Sequence, residues 1–165
     1  MQPLQITGSD VFYALNDLTT EDLGSNWTEP VACNSFARKK IDPRTEMTVC
    51  DFTPQWHTAT GKLFSTGHTV WYRDNKVMKV RPRTTAFAVF DEAASQWSPW
   101  KELALPDEPR FKNCGAGSVQ RFDLPNGDIL LPVYLKVSKR LNIVSPCFAA
   151  RLTAANYPMW NTATN

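Results

Sequence analysis

Thr20-Glu21-Asp22-Leu23-Gly24-Ser25-Asn26-Trp27 is the stretch on which the reading of this chain turns. A hydroxyl residue is followed two places on by Asp and four places on by Gly, and a Trp closes the segment. Asp and Thr side chains bond nearby backbone N–H groups, and Gly accepts a positive φ, so the pattern describes a turn stapled by its own side chains. The Trp lays a large apolar face over that turn. The apolar run Val11-Phe12-Tyr13-Ala14-Leu15 leads in and Trp27-Thr28-Glu29-Pro30-Val31 leads out. A β-hairpin follows, with one strand over Val11–Asn16 and its return over Trp27–Cys33.

A weaker copy lies at Asp91-Glu92-Ala93-Ala94-Ser95-Gln96-Trp97, where Trp97 takes the place of Trp27 70 residues on, Glu92 that of Asp22 and Ala94 that of Gly24. A second pair keeps nearly the same period. The turns Thr60-Gly61 and Asn126-Gly127 each open an apolar strand, their glycines are 66 residues apart, and His68 and Tyr134 each stand seven residues after their Gly. Two markers at one period predict an all-β chain, a β-propeller of four-stranded antiparallel blades in preference to a β-sandwich.

Strands are expected at Met47–Phe52, Lys62–Tyr72, Thr84–Phe90, Gly115–Leu124, Asp128–Lys136 and Asn142–Leu152. They divide the chain into a partial propeller over 1–152 and a polar tail without a strand over 153–165. Within the propeller, 10–45 closes one blade, 46–105 forms a complete blade and 106–152 begins the next, about two blades in all. Such a chain is expected to be a fragment that meets missing blades of a longer protein, or to self-associate through exposed strand edges.

Composition narrows the classes. Twelve Pro, seven Gly and 12% aromatic residues in 165 favour short strands and turns over helices. A formal charge of +2 gives no ground for a nucleic-acid or anionic-membrane partner. No apolar run approaches the roughly 20 residues that span a bilayer, and Met1–Ile6 lacks the charged and apolar regions of a signal peptide. Cys33, Cys50, Cys114 and Cys147 show no CxxC spacing, which argues against zinc and leaves thiols and disulfides both open.

Ser/Thr-x-Asp-x-Gly-x-Thr/Asn-Trp is the Asp-box, or BNR repeat, of the sialidase (neuraminidase) superfamily, and Thr20 to Trp27 resembles it at every defining position. Gly67-His68-Thr69-Val70, Ser98-Pro99-Trp100 and the stretch from Leu124 to Tyr134 are also similar to bacterial sialidase-like proteins, so the resemblance runs from Val11 to about Leu152. It implies a propeller that is six-bladed when complete, a secreted or periplasmic location and no cofactor. The implied glycoside hydrolase removes a terminal sialic acid from a glycan with retention. A Tyr nucleophile is paired with a Glu, an Asp serves as acid/base, and three arginines hold the substrate carboxylate. Tyr suits a sugar whose own carboxylate repels an attacking carboxylate, and the arginine fork grips both carboxylate oxygens. The chain departs from the family in lacking its Arg-Ile-Pro motif, which Arg81-Pro82-Arg83 does not match. The rival reading is a non-catalytic Asp-box propeller that binds glycan or protein, or only scaffolds.

Strand order supplies the candidate site. In an up-and-down blade the first strand starts, and the second ends, at one face of the ring, while the turn between third and fourth strands lies on the other. Both Asp-box copies are such turns, so Thr20, Asp22, Gly24, Trp27 and Trp97 are expected to be structural, and no metal is expected at Asp22 because the rest of a calcium loop is missing. The opposite face gathers Asp51, His68, Arg81, Arg83, Tyr134 and Lys136, with Arg73 and Asn113 nearby. Asp51 is the candidate catalytic acid, since partial burial raises a carboxyl pKa. His68, Arg81, Arg83, Tyr134 and Lys136 form a candidate cationic rim for a sugar substrate, and Arg81 and Arg83, two apart, point the same way on extended backbone. His57 counts nearer the Asp-box face. Trp56, Trp71, Trp97 and Trp100 are expected to pack between blades.

Overall fold

The computed structural model describes residues 15–79, 82–135, 147–152 and 158–162. The strands are β1 (Asn16–Asp17), β2 (Val31–Ala32), β3 (Lys39–Lys40), β4 (Thr45–His57), β5 (Lys62–Arg73), β6 (Lys76–Val77), β7 (Thr85–Asp91) and β8 (Gln96–Trp97). They continue with β9 (Lys101–Glu102), β10 (Cys114–Gly115), β11 (Phe122–Asp123), β12 (Asp128–Pro132), β13 (Tyr134–Leu135), β14 (Cys147–Leu152) and β15 (Pro158–Thr162). Helix among the described residues is confined to single turns at Asn34–Phe36 and Pro109–Phe111, so the protein is all-β. The first strand from Val11, the residues before Cys147 in the last predicted strand, and the rim residues Arg81 and Lys136 lie outside the described residues.

β3, β4, β5, β7 and β8 lie side by side in that order, with β6 also on β5 and β9 on β7, and every pairing is antiparallel. This sheet curls into a half-barrel. A second antiparallel sheet runs β11-β12-β14-β15. A glycine opens the return in the β4–β5 and β11–β12 hairpins, where Gly61 has φ 58° and Gly127 φ 86°, whereas Asp74 (φ 49°) and Asn75 (φ 63°) make the β5–β6 turn.

Several strand expectations need correction, among them Asp128–Lys136, which is β12 and β13 on different partners, and Trp27–Cys33, of which only Val31–Ala32 is strand. β4 spans 13 residues instead of Met47–Phe52 alone, because a bulge after Cys50 lets the strand bend and go on pairing. The continuous strand expected over Gly115–Leu124 is two short ones, β10 and β11, on different partners. The tail 153–165, expected to hold no strand, contains β15, which pairs with β14 from Phe148↔Thr162 to Leu152↔Pro158. An edge strand needs backbone partners more than an alternating pattern, and Pro158-Met159-Trp160-Asn161-Thr162 has no apolar–polar alternation to reveal it.

The side-chain alternation of β7 shows why the large sheet is stable. Ala86 and Ala88 face one core with Cys33, Phe36, Met47, Val49 and Trp100, while Phe87 faces a second with Leu103, Phe111, Ile129, Leu131 and Val133. Both faces of the sheet are therefore covered, one by the 33–36 turn and the other by the second sheet. Trp71, Trp97 and Trp100 join the first core, whereas Trp56 is 48% exposed. Cys33, Cys50 and Cys114 are buried free thiols, and burial pushes the Cys114 thiol up to about 11.

The opening turn is built by its side chains. The Thr20 hydroxyl donates to Asp22 (2.8 Å) and accepts from the Gly24 N–H (2.9 Å), while Asp22 accepts from the Asn26 N–H (2.9 Å). Trp27 donates its indole N–H to the Gly24 carbonyl at 3.0 Å and lies against that glycine, yet remains 59% exposed. In the second copy it is Asp91, and not Glu92 one place later, whose carboxylate accepts a turn N–H, that of Ala94 at 3.1 Å. A Glu side chain is a methylene too long for this short loop, and Trp97 turns inward onto Phe90 and Phe36.

The hydrogen bonds of the Asn26 backbone and side chain, with that of Thr20, hold the Asp22 carboxyl at about 2, below its ordinary 3.8. A depressed carboxyl stabilises the turn above the unfolded-chain value, and that contribution is lost as pH falls from about 4 towards 2. A carboxyl NMR titration is expected to place the Asp22 midpoint near 2. A midpoint near 4 means that the staple does not form.

Candidate functional site

The site grows from the bulge in β4. Cys50 pairs with His68 and Thr53 with Thr66, so Asp51 and Phe52 together oppose the single residue Gly67. Cys50 and His68, as direct cross-strand partners, project from the same face. Asp51 takes φ 52°, a left-handed conformation that Asp tolerates better than most residues. That rotation cancels the usual alternation, and donor atoms of Cys50, Asp51 and His68 all come within 4.8 Å of one another. Gly67 makes the bulge possible: a Cβ there would stand 2.3 Å from the Phe52 ring and 2.7 Å from the Cys50 carbonyl oxygen.

The second sheet region supplies the other wall. The Cys114 N–H donates to the Arg83 carbonyl at 3.0 Å, which fastens the segment from Cys114 beside β7. β10 pairs with β13 so that Gly115 opposes Tyr134. The Tyr134 oxygen lies 3.0 Å from His68 Nδ1, with the two rings edge to face. The Gly117 backbone also bonds the phenol, and the histidine tautomer decides whether the phenol or Nδ1–H donates across the 3.0 Å contact. Asp51 Oδ2 stands 3.9 Å from that nitrogen. The Arg83 guanidinium lies 5.0 Å from the centre of the Tyr134 ring, and its buried Nε has no protein hydrogen-bond partner.

Burial holds the Tyr134 phenol above its ordinary pKa, although Arg83 and the Gly117 N–H pull the other way. The group is thus a neutral donor near neutral pH. His68 is buried, while the Asp51 side chain is 40% exposed. The Asp51 carboxylate therefore stands, partly covered, at the mouth of the cluster.

Of the sequence candidates, Asp51, His68, Arg83 and Tyr134 converge, and they come from both repeats. Thr20, Asp22, Gly24 and Trp27 share the opening turn, and Trp97 lies in the core. His57 is a pin between the repeats: its Nε2 meets the Gly127 carbonyl (3.2 Å) and its Nδ1 the Thr60 hydroxyl (2.7 Å). A carbonyl only accepts, so Nε2 carries the proton. No protein-family model, curated protein or solved structure matches this chain.

Three residues had gone unnoticed as parts of the arrangement. Gly117 lies so close that a Cβ would fall 1.8 Å from His68 Nδ1 and 3.1 Å from Asp51 Cβ. Its signal was the Gly115-Ala116-Gly117 spacing inside an expected strand, since strand glycines mark close backbone approach. Arg121, 3% exposed, donates to the carbonyls of Gln55 (2.8 Å) and Phe64 (3.5 Å) and to the Asp123 carboxylate (3.0 Å). It ties the start of the second sheet to the β4–β5 hairpin that carries the site. Cys50 had no sequence signal, because only the bulge places its thiol beside Asp51.

Proposed function

We propose that the chain contributes blades to a sialidase-like β-propeller and that the Asp51–His68–Arg83–Tyr134 cluster receives a terminal, anionic sugar of the sialic-acid class. The observation that carries this reading is the convergence of a mouth carboxylate, a buried imidazole, a neutral phenol and a guanidinium in one nook, drawn from two repeat units. The order β4-β5-β7-β8, with β9 also on β7, is that of an up-and-down blade and supports the propeller reading.

In this scheme Arg83 attracts the sugar carboxylate, and Tyr134 and His68 bond its hydroxyls. Asp51 gives its proton to the glycosidic oxygen as the C–O bond breaks, then takes one from the water that completes hydrolysis. A sugar seated over the mouth excludes water from the carboxyl. The same cluster also suits a binding propeller without hydrolysis, a reading favoured by Tyr134 being held as a phenol by burial.

Saturation-transfer NMR on the 165-residue chain is expected to show contact with N-acetylneuraminic acid, none with galactose, and loss of the signal in Arg83→Ala. An equal response to both sugars, or to neither, removes the anionic-sugar reading. Hydrolysis separates the two roles. In an assembled ring, Asp51→Asn is expected to lower kcat about 100- to 10,000-fold, and Asn tolerates the left-handed backbone as Asp does. The 165 residues alone are expected to release little from a fluorogenic sialoside.

A further inference from the structure

We propose that Cys50, Asp51 and His68 form a metal site for zinc or a similar borderline divalent cation, with the Tyr134 hydroxyl or a water in the fourth position. The donors are a thiol, a carboxylate and an imidazole, the three ligand types that zinc takes together. Their donor atoms lie within 4.8 Å of one another, and the Tyr134 oxygen is 3.0 Å from His68 Nδ1. Tetrahedral bonds of roughly 2.0–2.3 Å place ligand atoms about 3.3–3.8 Å apart. The His68 Nδ1 to Asp51 Oδ2 separation of 3.9 Å is already close to that, and the widest separation has to contract by about 1 Å from 4.8 Å.

Second-wall geometry favours a small occupant. The backbone at Gly117 closes over His68 and Asp51 without a side chain. A thiolate ligand selects zinc, cobalt or copper over magnesium and calcium, which prefer oxygen. As the metal–sulfur bond forms, the Cys50 thiol gives its proton to solvent, and the cation neutralises the thiolate and carboxylate together. CxxC spacing misses such a site because its ligands meet across a hairpin and a bulge.

An Asp51 carboxylate bound to the cation no longer gives a proton, so a metal-loaded cluster fits the binding reading and not the hydrolytic one, and the test uses no sugar. The full chain, stripped with chelator, is titrated with cobalt(II). A thiolate-to-cobalt charge-transfer band with tetrahedral visible bands is expected, saturating at one metal per chain and displaced by zinc. Cys50→Ser is expected to abolish the charge-transfer band and weaken zinc binding by at least the roughly 10- to 100-fold that loss of an outer-shell partner costs. His68→Gln is expected to weaken it similarly, and Cys33→Ser, a buried thiol in the other core, to leave it unchanged. Absence of the band in the native chain overturns the proposal, as does a band that survives Cys50→Ser.

Discussion

Arg121→Met is expected to destabilise the chain by about 3 kcal/mol, the lower end of what removing one partner of a buried ion pair costs. The guanidinium is almost wholly buried and is held below its ordinary pKa by that burial, with Asp123 opposing the shift. Its removal strands the Asp123 carboxylate, whose side chain is 19% exposed, and leaves the Gln55 and Phe64 carbonyls without this donor. At about 2–4 °C per kcal/mol for a domain of this size, the melting temperature falls by about 6–12 °C. Adding Asp123→Leu is expected to restore part of the loss, because no uncompensated charge then remains. Thermal unfolding of the single and double variants measures both. A single variant within about 0.5 kcal/mol of native contradicts the assignment of Arg121 as the tie between the sheets.

Gly117→Ala is the second large effect. The new methyl group falls 1.8 Å from His68 Nδ1, far inside van der Waals contact, and the Tyr134 hydrogen bond holds that ring in place. Overpacking of this kind costs about 1–3 kcal/mol, and relief requires the 114–117 segment to lift or His68 to leave Tyr134. Either movement opens the cluster, so sugar contact and metal binding are both expected to fall more steeply than stability does. Heteronuclear NMR on the variant reports this as shifts concentrated at His68, Tyr134 and Asp51. A spectrum unchanged at those three residues is incompatible with the close approach.

What could be read from the sequence was local. The Thr20–Trp27 staple is closed by bonds spanning at most four residues, so its chemistry is written in one short stretch. The turn glycines Gly61 and Gly127 mark corresponding places in two repeats, and seven residues beyond them His68 and Tyr134 meet. Their meeting was not itself foreseen. Repeat spacing placed both on one face, but only the packing of the second sheet against the first joins them.

What escaped depended on breaks in regularity and on distant packing. An unbroken strand would have put Cys50 and Asp51 on opposite faces; the bulge over Gly67 brings them together. Arg121 looked like one more charged residue near a strand, and its partners lie 57 and 66 residues away. β15 was hidden because an edge strand carries little hydrophobic alternation. In the second turn, a one-residue change in which carboxylate accepts the N–H moved the role from Glu92 to Asp91.

The two repeats meet at His68 and Tyr134, and a double-mutant cycle tests that meeting directly. His68→Asn, Tyr134→Phe and the double variant are unfolded in denaturant, in the presence of chelator. The predicted result is a coupling energy of roughly 1 kcal/mol, the net worth of one buried hydrogen bond. Effects that add to within about 0.3 kcal/mol, as they do for residues that do not touch, would contradict it.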